Sequence, residues 1–260
     1  MVAMPRAVQM PDIRRVGLPE ARQAIPHVRA YLRECILNGT LPPGTKLSQV
    51  SLAAQLGISR TPLREVLRML QEEGLVEIEP NQRTRVAGLD PQELDDMYAS
   101  RILLETLALS MTIGHFGAKA RREAGRLLTA MRRAAKSGEF DAWFAAHTGY
   151  HRVCTAAAGE PMQRLLRAFA DRTTRYIRIC QVSEPNNWQA AGDVEDAAIL
   201  EALIAGDEQG AGMEMAHHLA RSALRVLTDC APDYIPVAVP HAVALIDRQP
   251  AAAPRLTGAS

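Results

Sequence analysis

Aromatic residues, cysteines and net charge are all scarce in this chain, and these shortages narrow the classes of protein it can belong to. Only 4% of the 260 residues are aromatic, and the formal net charge is +1. A charge this close to zero excludes wholesale electrostatic binding to nucleic acid, although one basic surface can be balanced by an acidic remainder. No apolar run is long enough to cross a bilayer, so we expect no membrane span.

The four cysteines are scattered without a CxxC pair, which favours reduced thiols in a protein core. The N-terminal stretch MVAMPRAVQMPDIRR lacks the continuous apolar segment of a signal peptide. Together these shortages predict a cytoplasmic protein.

The stretch from Ser48 to Val86 carries the strongest local pattern. It predicts two short helices joined by a tight turn and followed by a two-stranded hairpin, with strands near 75–78 and 84–86. Ser59 is a natural N-cap for the second helix, and Pro62 falls in its first turn, where a missing N–H does no harm. Apolar residues then follow at helical spacing and predict a buried face: Leu63, Val66, Leu67 and Leu70.

The opposite side of this second helix carries Thr61 and three arginines at intervals of four, Arg60, Arg64 and Arg68. In an isolated helix such arginines usually only face solvent. Here the order of helix, turn, helix and hairpin, with arginines at the start of the second helix, favours entry into a DNA major groove. Arginine can pair there with guanine O6 and N7, and threonine can reach a base edge or phosphate. The candidate DNA-binding residues are Ser59, Arg60, Thr61, Arg64 and, near the hairpin tip, Arg83 and Arg85.

The run PPGTKLSQVSLAAQLGISRTPLREVLRMLQEEGLVEIEP resembles the winged-helix domain of GntR-type bacterial transcription regulators. The matching positions are Pro43-Gly44, Leu47-Ser48, Leu52-Ala53, Ser59-Arg60-Thr61-Pro62, Arg64-Glu65 and Glu73-Gly74-Leu75. The resemblance implies operator binding as a dimer, with Arg60, Thr61 and Arg64 on the DNA. There is one departure, because Arg83 stands where the family usually has a wing-tip glycine.

Between residue 91 and about residue 230 the pattern is helical, and the abundant alanine and leucine favour helices over sheets. Glycines and a proline separate six predicted helices: 91–113, 118–135, 139–158, 161–182, 188–205 and 207–229. Short links between antiparallel helices predict a bundle with room for an interior cavity. After residue 232 the composition shifts to Pro, Ala and Val, so we expect a disordered tail.

Four polar side chains interrupt the apolar stripes of these helices. His147 and His151 are four apart on one face of the third helix, a spacing that can bind one metal ion. Asp196 lies on the stripe of the fifth helix and His218 close to that of the sixth. Each histidine alone is more often a satisfied core residue, but four inward groups on three helices favour a site for Zn(II), Ni(II) or Mn(II).

Arg101 also lies within an apolar stripe, on the first helix of this region. A buried guanidinium is costly unless an anion meets it. Two alternatives stay open: an i,i+4 pair with Glu105 or snorkelling to the surface, and a carboxylate-bearing ligand held in the bundle. Arg175 is a further candidate for the cavity, although Arg172 and Arg178 on its helix favour a surface position.

The region from Glu93 to about Leu227 resembles the all-helical effector domain, called FCD, of the FadR-type branch of the GntR family. The matching marks are Arg101-x3-Glu105, Tyr150-His151, Gly206-Asp207 with Ala211, and His218-Leu219. Many members hold a metal there with one Asp and three His. By this resemblance, His147 stands where the family has its Asp and Asp196 where it has a His, so the total of three His and one Asp is kept.

These features predict a mainly α protein, with an N-terminal winged helix-turn-helix followed by an antiparallel six-helix bundle. The expected division is a flexible arm at 1–18, a DNA-binding domain at 19–90, a helical effector-binding, metal-binding and dimerisation domain at 91–231 and a disordered tail at 232–260.

The function these features predict is that of a transcription regulator, a repressor rather than an enzyme, acting as a homodimer on palindromic double-stranded DNA. A small organic acid would alter its operator affinity by binding Arg101, Arg175 and a divalent metal, zinc first and nickel or manganese next. One alternative is a metal sensor of the same architecture. Another is a metal-dependent hydrolase fused to a DNA-binding domain, but in HTGYH Thr148 stands where HExxH has its catalytic glutamate.

Overall fold

The computed structural model describes residues 24–79, 83–88, 90–181 and 188–248, without the side chains of residues 175, 178–181 and 188–191. The arm expected at 1–18, most of the predicted hairpin turn and residues 249–260 lie outside the described residues. The chain divides into two compact units. Unit 1 comprises Met1–Asp90 with Ala170–Ser183, and unit 2 comprises Pro91–Phe169 with Glu184–Ser260.

Unit 1 is built on a winged helix-turn-helix. Its elements are α1 (Ala24–Leu37), β1 (Lys46–Leu47), α2 (Gln49–Leu56), α3 (Arg60–Glu72), β2 (Val76–Ile78) and β3 (Thr84–Val86). The strands form an antiparallel sheet in the order β1-β3-β2. The predicted hairpin of β2 and β3 is confirmed. Strand β1 was not predicted from the sequence, because a strand of two residues is too short to show alternation.

The turn between α2 and α3 follows from local chemistry. The Ser48 hydroxyl accepts a hydrogen bond from the Ser51 N–H at 3.3 Å and caps α2. Gly57 ends α2 in the left-handed region, with φ of 69°, where a side chain would be strained. Ser59 occupies the N-cap of α3 in extended conformation, as predicted, and its hydroxyl makes no capping hydrogen bond. The apolar face of α3 is fully buried in the core of unit 1.

Unit 2 is helical in the part of the chain that the structure describes. Its helices are α4 (Pro91–Ile113), α5 (Ala118–Ser137), α6 (Phe140–Cys154), α7 (Glu160–Gln181), α8 (Trp188–Ala205), α9 (Glu208–Cys230) and α10 (Ala238–Asp247), with α7 continuing into unit 1 from Ala170. The six predicted helices are confirmed as α4 to α9. Among the described residues, no helix combines the length and the apolar character that spanning a bilayer requires.

The expectation of a disordered tail from residue 232 is wrong for its first part, because α10 forms there and packs against α4 and α9. Val239, Ala242 and Ile246 recur at helical spacing and are buried. The fully buried carboxylate of Asp95 accepts hydrogen bonds from the N–H groups of Val237, Ala238 and Val239 at 2.7 to 2.9 Å. A long-range cap of this kind leaves no signal in the local composition.

The cysteines follow the expectation only in part. Cys35 and Cys154 are free and buried, as expected for core thiols. Cys230 is disulfide-bonded, so the expectation of four reduced thiols is wrong at this position. Spacing along the chain does not show which thiols approach one another in a folded bundle.

Candidate metal centre

Four side chains from three helices of unit 2 converge on one point. Helix α6 supplies His147 and His151, α8 supplies Asp196, and α9 supplies His218; one ligand atom from each lies within 4.8 Å of all the others. We call this set the His3Asp cluster. It is the set of four residues that the sequence analysis singled out.

The spacing within the His3Asp cluster suits a metal ion. The Nε2 atom of His147 lies 3.2 Å from Nε2 of His151 and 3.3 Å from Nε2 of His218. Carboxylate oxygens of Asp196 lie 3.9 Å from His147 Nε2 and 3.8 Å from His218 Nε2. Ligands about 2.0 to 2.1 Å from a tetrahedral zinc ion stand roughly 3.3 Å apart, so the imidazole nitrogens already have the required separation.

Two of the three imidazoles are held by carboxylates behind them. The Nδ1 atom of His151 lies 2.6 Å from Glu105 Oε2, and the Nδ1 atom of His218 lies 3.0 Å from Glu195 Oε2. Because a carboxylate can only accept a hydrogen bond, each Nδ1 carries the hydrogen. In the neutral imidazole the Nε2 atom is then unprotonated and carries a lone pair. In both residues this lone pair faces the interior of the His3Asp cluster.

Asp196 is the member whose surroundings most favour a bound cation. Its side chain is fully buried, and neither carboxylate oxygen has a hydrogen-bond partner within the described residues. Burial, which penalises the charged form, raises the pKa of this carboxyl even though His218 and His151 oppose the shift. An unpartnered buried carboxylate is costly, and a metal ion among the four ligands would remove that cost.

His147 is held differently from the other two histidines. Its ring stacks on Trp143, with the centroids 4.8 Å apart and the planes 15° from parallel. Burial lowers the pKa of His147 well below its usual range, and the neighbouring His151 and His218 lower it further. The ring is therefore neutral near pH 7, which is the form that binds metals.

Arg101 is buried, as its position within an apolar stripe predicted, and it pairs with Glu105. The Arg101 Nε atom lies 2.7 Å from Glu105 Oε1, so the i,i+4 ion pair is present. Burial would raise the pKa of Glu105, but Arg101 and His151 outweigh it and lower that pKa to about 2. Glu105 is thus ionised between an arginine and a histidine. The side chain of Arg175, the other effector-binding candidate, lies outside the described residues.

The contacts of both carboxylates with the histidines were not predicted from the sequence. Glu105 entered it only as a partner of Arg101, and Glu195 did not enter it at all. Glu195 directly precedes Asp196 on α8. The only sequence signal for its role was this position, because a carboxylate beside a buried residue can reach a neighbouring helix. Its partner lies 23 residues away along the chain, which is beyond any local pattern.

The candidate DNA-binding residues of α3 face outward. Ser59, Arg60, Thr61 and Arg64 are exposed, and within the described residues Arg60 and Arg64 form no ion pair. Arg68 farther along α3 is paired with Glu72 at 2.6 Å.

The two wing candidates differ from each other. Arg83 is exposed beside the turn. Arg85 is half-buried and pairs with Glu77 at 2.6 Å and Glu79 at 3.3 Å. The wing therefore has one exposed arginine and one that already has carboxylate partners.

The chain combines two features. One is a winged helix whose helix α3 carries exposed arginines, and the other is a helical unit that contains the His3Asp cluster. Together they define a DNA-binding transcription regulator built of two units. The family model described as "Bacterial regulatory proteins, gntR family" matches residues 25–86, and the model described as "FCD domain" matches residues 96–221. The chain belongs to the GntR family of transcription regulators, in the FadR-type branch that carries an FCD domain.

Individual relatives agree with this assignment. The probable D-xylose utilization operon transcriptional repressor of Paenarthrobacter nicotinovorans is 32% identical over 200 residues, which cover 74% of this chain and 84% of the relative. An uncharacterized HTH-type transcriptional regulator of Agrobacterium vitis is 32% identical over 133 residues, or 50% of this chain and 77% of the relative. The structure of E. coli McbR/YncC aligns with a TM-score of 0.67 at 20% identity, covering 79% of this chain and 97% of McbR. The two relatives are named as a transcriptional repressor and a transcriptional regulator, and both family models agree, in line with the prediction of a regulator rather than an enzyme. The likeness to McbR shows the shared fold.

Proposed function

We propose that this protein is a transcription repressor whose affinity for operator DNA is controlled by a small organic acid bound at a metal ion in unit 2. The observation that carries the proposal is the convergence of the His3Asp cluster around a buried carboxylate with no hydrogen-bond partner. The direction, repression, is supported by a relative named as a probable repressor of a sugar-utilisation operon.

Operator recognition is assigned to the exposed start of α3. Arg60 and Arg64 have exposed guanidinium groups that can pair with guanine edges, and Thr61 can reach a base or a phosphate. Ser59, whose hydroxyl makes no capping hydrogen bond, is proposed to contact phosphate at the same helix end. Arg83 adds a wing contact, and Arg85 contributes less because Glu77 and Glu79 already hold it.

The residues that would hold the metal are the His3Asp cluster, and three imidazoles with one carboxylate suit zinc first, with nickel or manganese next. A bound divalent ion would supply a positive centre that attracts a carboxylate. Because the Arg101 guanidinium already forms an ion pair with Glu105, we propose that the acid group of the effector binds the metal rather than this guanidinium. A coupling of about 1–3 kcal/mol between the two sites is enough to change operator affinity several-fold or more.

We propose that a homodimer reads a palindromic operator, because two recognition helices related by a two-fold axis match two half-sites. A surface for the contact is available on α4, where Leu103, Leu107 and Met111 follow one face at intervals of four and are 40 to 50% exposed. Mass measurement by light scattering tests this: the wild type is expected as a dimer and Leu107→Glu as a monomer. A monomeric wild type at the concentrations used for DNA binding would contradict the dimer.

The effector proposal is tested by selecting an operator from random DNA and measuring binding by fluorescence anisotropy with a panel of small carboxylates. The wild type is expected to carry about one equivalent of a divalent metal and to change its operator affinity with at least one acid. A double variant with His151→Ala and His218→Ala should lose both the metal and the response. An operator affinity that stays the same after metal removal and with every acid tested would contradict the proposal.

A metal sensor is the second candidate, and one observation favours it. Four protein ligands complete a tetrahedral site, whereas a site that also takes an organic ligand needs a five- or six-coordinate ion. Operator affinity that follows free metal concentration alone, without any effect of carboxylates, would select the sensor. A response to an acid at constant metal saturation would select the effector-binding regulator.

A further inference from the structure

Two histidines of the His3Asp cluster are backed by the same arrangement, built twice from different helices. In the first, Glu105 on α4 contacts Arg101 of its own helix and His151 of α6. In the second, Glu195 on α8 contacts both Arg221 and His218 of α9. We call each arrangement an Arg–Glu–His relay.

We propose that Glu105 and Glu195 are positioning residues that set the metal affinity of the His3Asp cluster, with Arg101 and Arg221 holding the two carboxylates in place. This inference rests on the proposed metal site in unit 2. It assigns Arg101, a candidate for effector binding on sequence grounds, to the support of His151.

The division of oxygen atoms is the same in both relays. Each glutamate uses Oε2 for the histidine Nδ1 and Oε1 for the arginine: Glu105 contacts His151 and Arg101 in this way, and Glu195 contacts His218 and Arg221. With both oxygens engaged, the carboxylate plane is fixed. The imidazole behind it is therefore fixed in rotation and in tautomer, and its Nε2 lone pair faces the cluster.

Burial makes these contacts effective. The side chains of Glu105 and Glu195 are 4% and 12% exposed, so water competes little for their oxygens. A hydrogen bond from Nδ1 to a carboxylate also raises the electron density at Nε2 and so strengthens a bond to a metal. The buried Arg101 pairs with Glu105 in low-dielectric surroundings and keeps that carboxylate ionised and oriented. Arg221 is 46% exposed, so its contact with Glu195 lies closer to solvent.

His147 provides an internal contrast. Within the described residues, the only carboxylate within 4 Å of its ring nitrogens is that of Asp196, 3.9 Å from Nε2, and the ring stacks on Trp143. The relays therefore account for two of the three imidazoles, and substitution of their glutamates should weaken the metal site without removing a ligand.

The test is a competition titration of the purified full-length protein with Zn²⁺ against a chromophoric chelator at neutral pH. Glu105→Gln and Glu195→Gln preserve side-chain size and remove the charge that holds arginine and histidine together. Each is expected to weaken zinc binding about 10- to 100-fold at unchanged stoichiometry. Glu123→Gln is the matched control, since Glu123 is also paired with an arginine, Arg126, but lies exposed on α5; its zinc affinity should equal that of the wild type.

A second readout separates positioning from general destabilisation. The visible absorption of the Co²⁺-loaded protein reports ligand geometry and should change in both glutamine variants but not in Glu123→Gln. If Glu105→Gln fails to fold, Glu195→Gln on the more exposed relay carries the test. Wild-type zinc affinity in Glu195→Gln or in a folded Glu105→Gln would overturn the relay inference alone. A wild type that binds no zinc, nickel or manganese would overturn the proposed metal site and this inference with it.

Discussion

Helix α3 exposes its arginines to solvent, whereas the helices around the His3Asp cluster bury several of their carboxylates. On α3, Arg60 and Arg64 extend into solvent while the apolar face is buried. On α4 and α8, Glu105 and Asp196 point into the unit and are buried. A hydrated arginine adds little to folding stability and remains free to bind a partner, whereas a buried carboxylate requires a compensating charge.

This contrast separates two kinds of functional residue. Those of α3 can be changed at small cost to the fold, so their loss should be visible in DNA binding alone. The buried side chains in and around the His3Asp cluster contact one another. Their substitution should therefore change both metal binding and the free energy of unfolding.

Removal of two cluster ligands in the variant with His151→Ala and His218→Ala should reduce bound metal from about one equivalent to none. In the wild type, metal at 100 to 1,000 times its Kd should stabilise the fold by about 2.7 to 4.1 kcal/mol, and a chelator should remove this stabilisation. Elemental analysis and thermal unfolding with and without chelator measure both effects. Retention of metal by the double variant would mean that other residues bind it.

Arg64→Ala should weaken operator binding by about 1–3 kcal/mol, roughly 5- to 150-fold, because an arginine contact with a guanine edge is lost. Thermal stability and zinc content should stay unchanged, since Arg64 is exposed on α3. Anisotropy titration on the selected operator is the measurement. Arg68→Ala is the control on the same helix, because Arg68 is already paired with Glu72 and should matter less. Joint loss of DNA and metal binding in Arg64→Ala would break the separation of the two units' roles.

Asp95→Asn should lower the free energy of unfolding by about 1–3 kcal/mol, since the carboxylate caps the start of α10. Burial acts to raise the pKa of Asp95, but the three backbone N–H donors and Tyr234 outweigh it and lower that pKa below its usual value. The contribution is therefore complete above the unfolded-state pKa, about 3.9, and is lost as the pH falls through the lowered native value. Denaturant unfolding of both proteins at neutral and acid pH should show their difference shrinking in acid. A difference that does not change with pH would argue against this carboxylate as its source.

Arg85→Ala should have the smallest effect on DNA binding, under about 1 kcal/mol, because its ion pairs with Glu77 and Glu79 compete with phosphate contacts. Arg83→Ala, at the exposed wing position, should reduce operator affinity more. Anisotropy titrations at several salt concentrations compare the two variants. A larger loss in Arg85→Ala would mean that Arg85 leaves its carboxylate partners when DNA binds.

Local spacing was sufficient to predict α3, its buried face and the outward position of its arginines, because cap, apolar face and arginines lie within a dozen positions. His147 and His151 were also readable, since a separation of four places two side chains on one helical face. Asp196 and His218 were found as polar groups on or close to apolar stripes. Their convergence with the α6 pair could be guessed from that misfit, but the distances within the cluster could not.

The relays and α10 were not predictable in the same way. The contact of Glu105 with His151 spans 46 residues, and the cap from Asp95 to Val239 spans 144. Each depends on how two helices face each other, which neither hydrophobic period nor composition records. The alanine and proline content of the last segment therefore suggested disorder, where a remote carboxylate makes a helix stable.

Helix α10 sets a practical limit on how short this regulator can be made. The FCD match ends at residue 221, seventeen positions before α10 begins. A protein trimmed to the family boundary would keep all four members of the His3Asp cluster and yet lose the three N–H donors of the Asp95 carboxylate, those of Val237, Ala238 and Val239. Domain swaps and biosensor fusions built on this chain should therefore keep α10, which ends at Asp247, and not join at the edge of the shared domain.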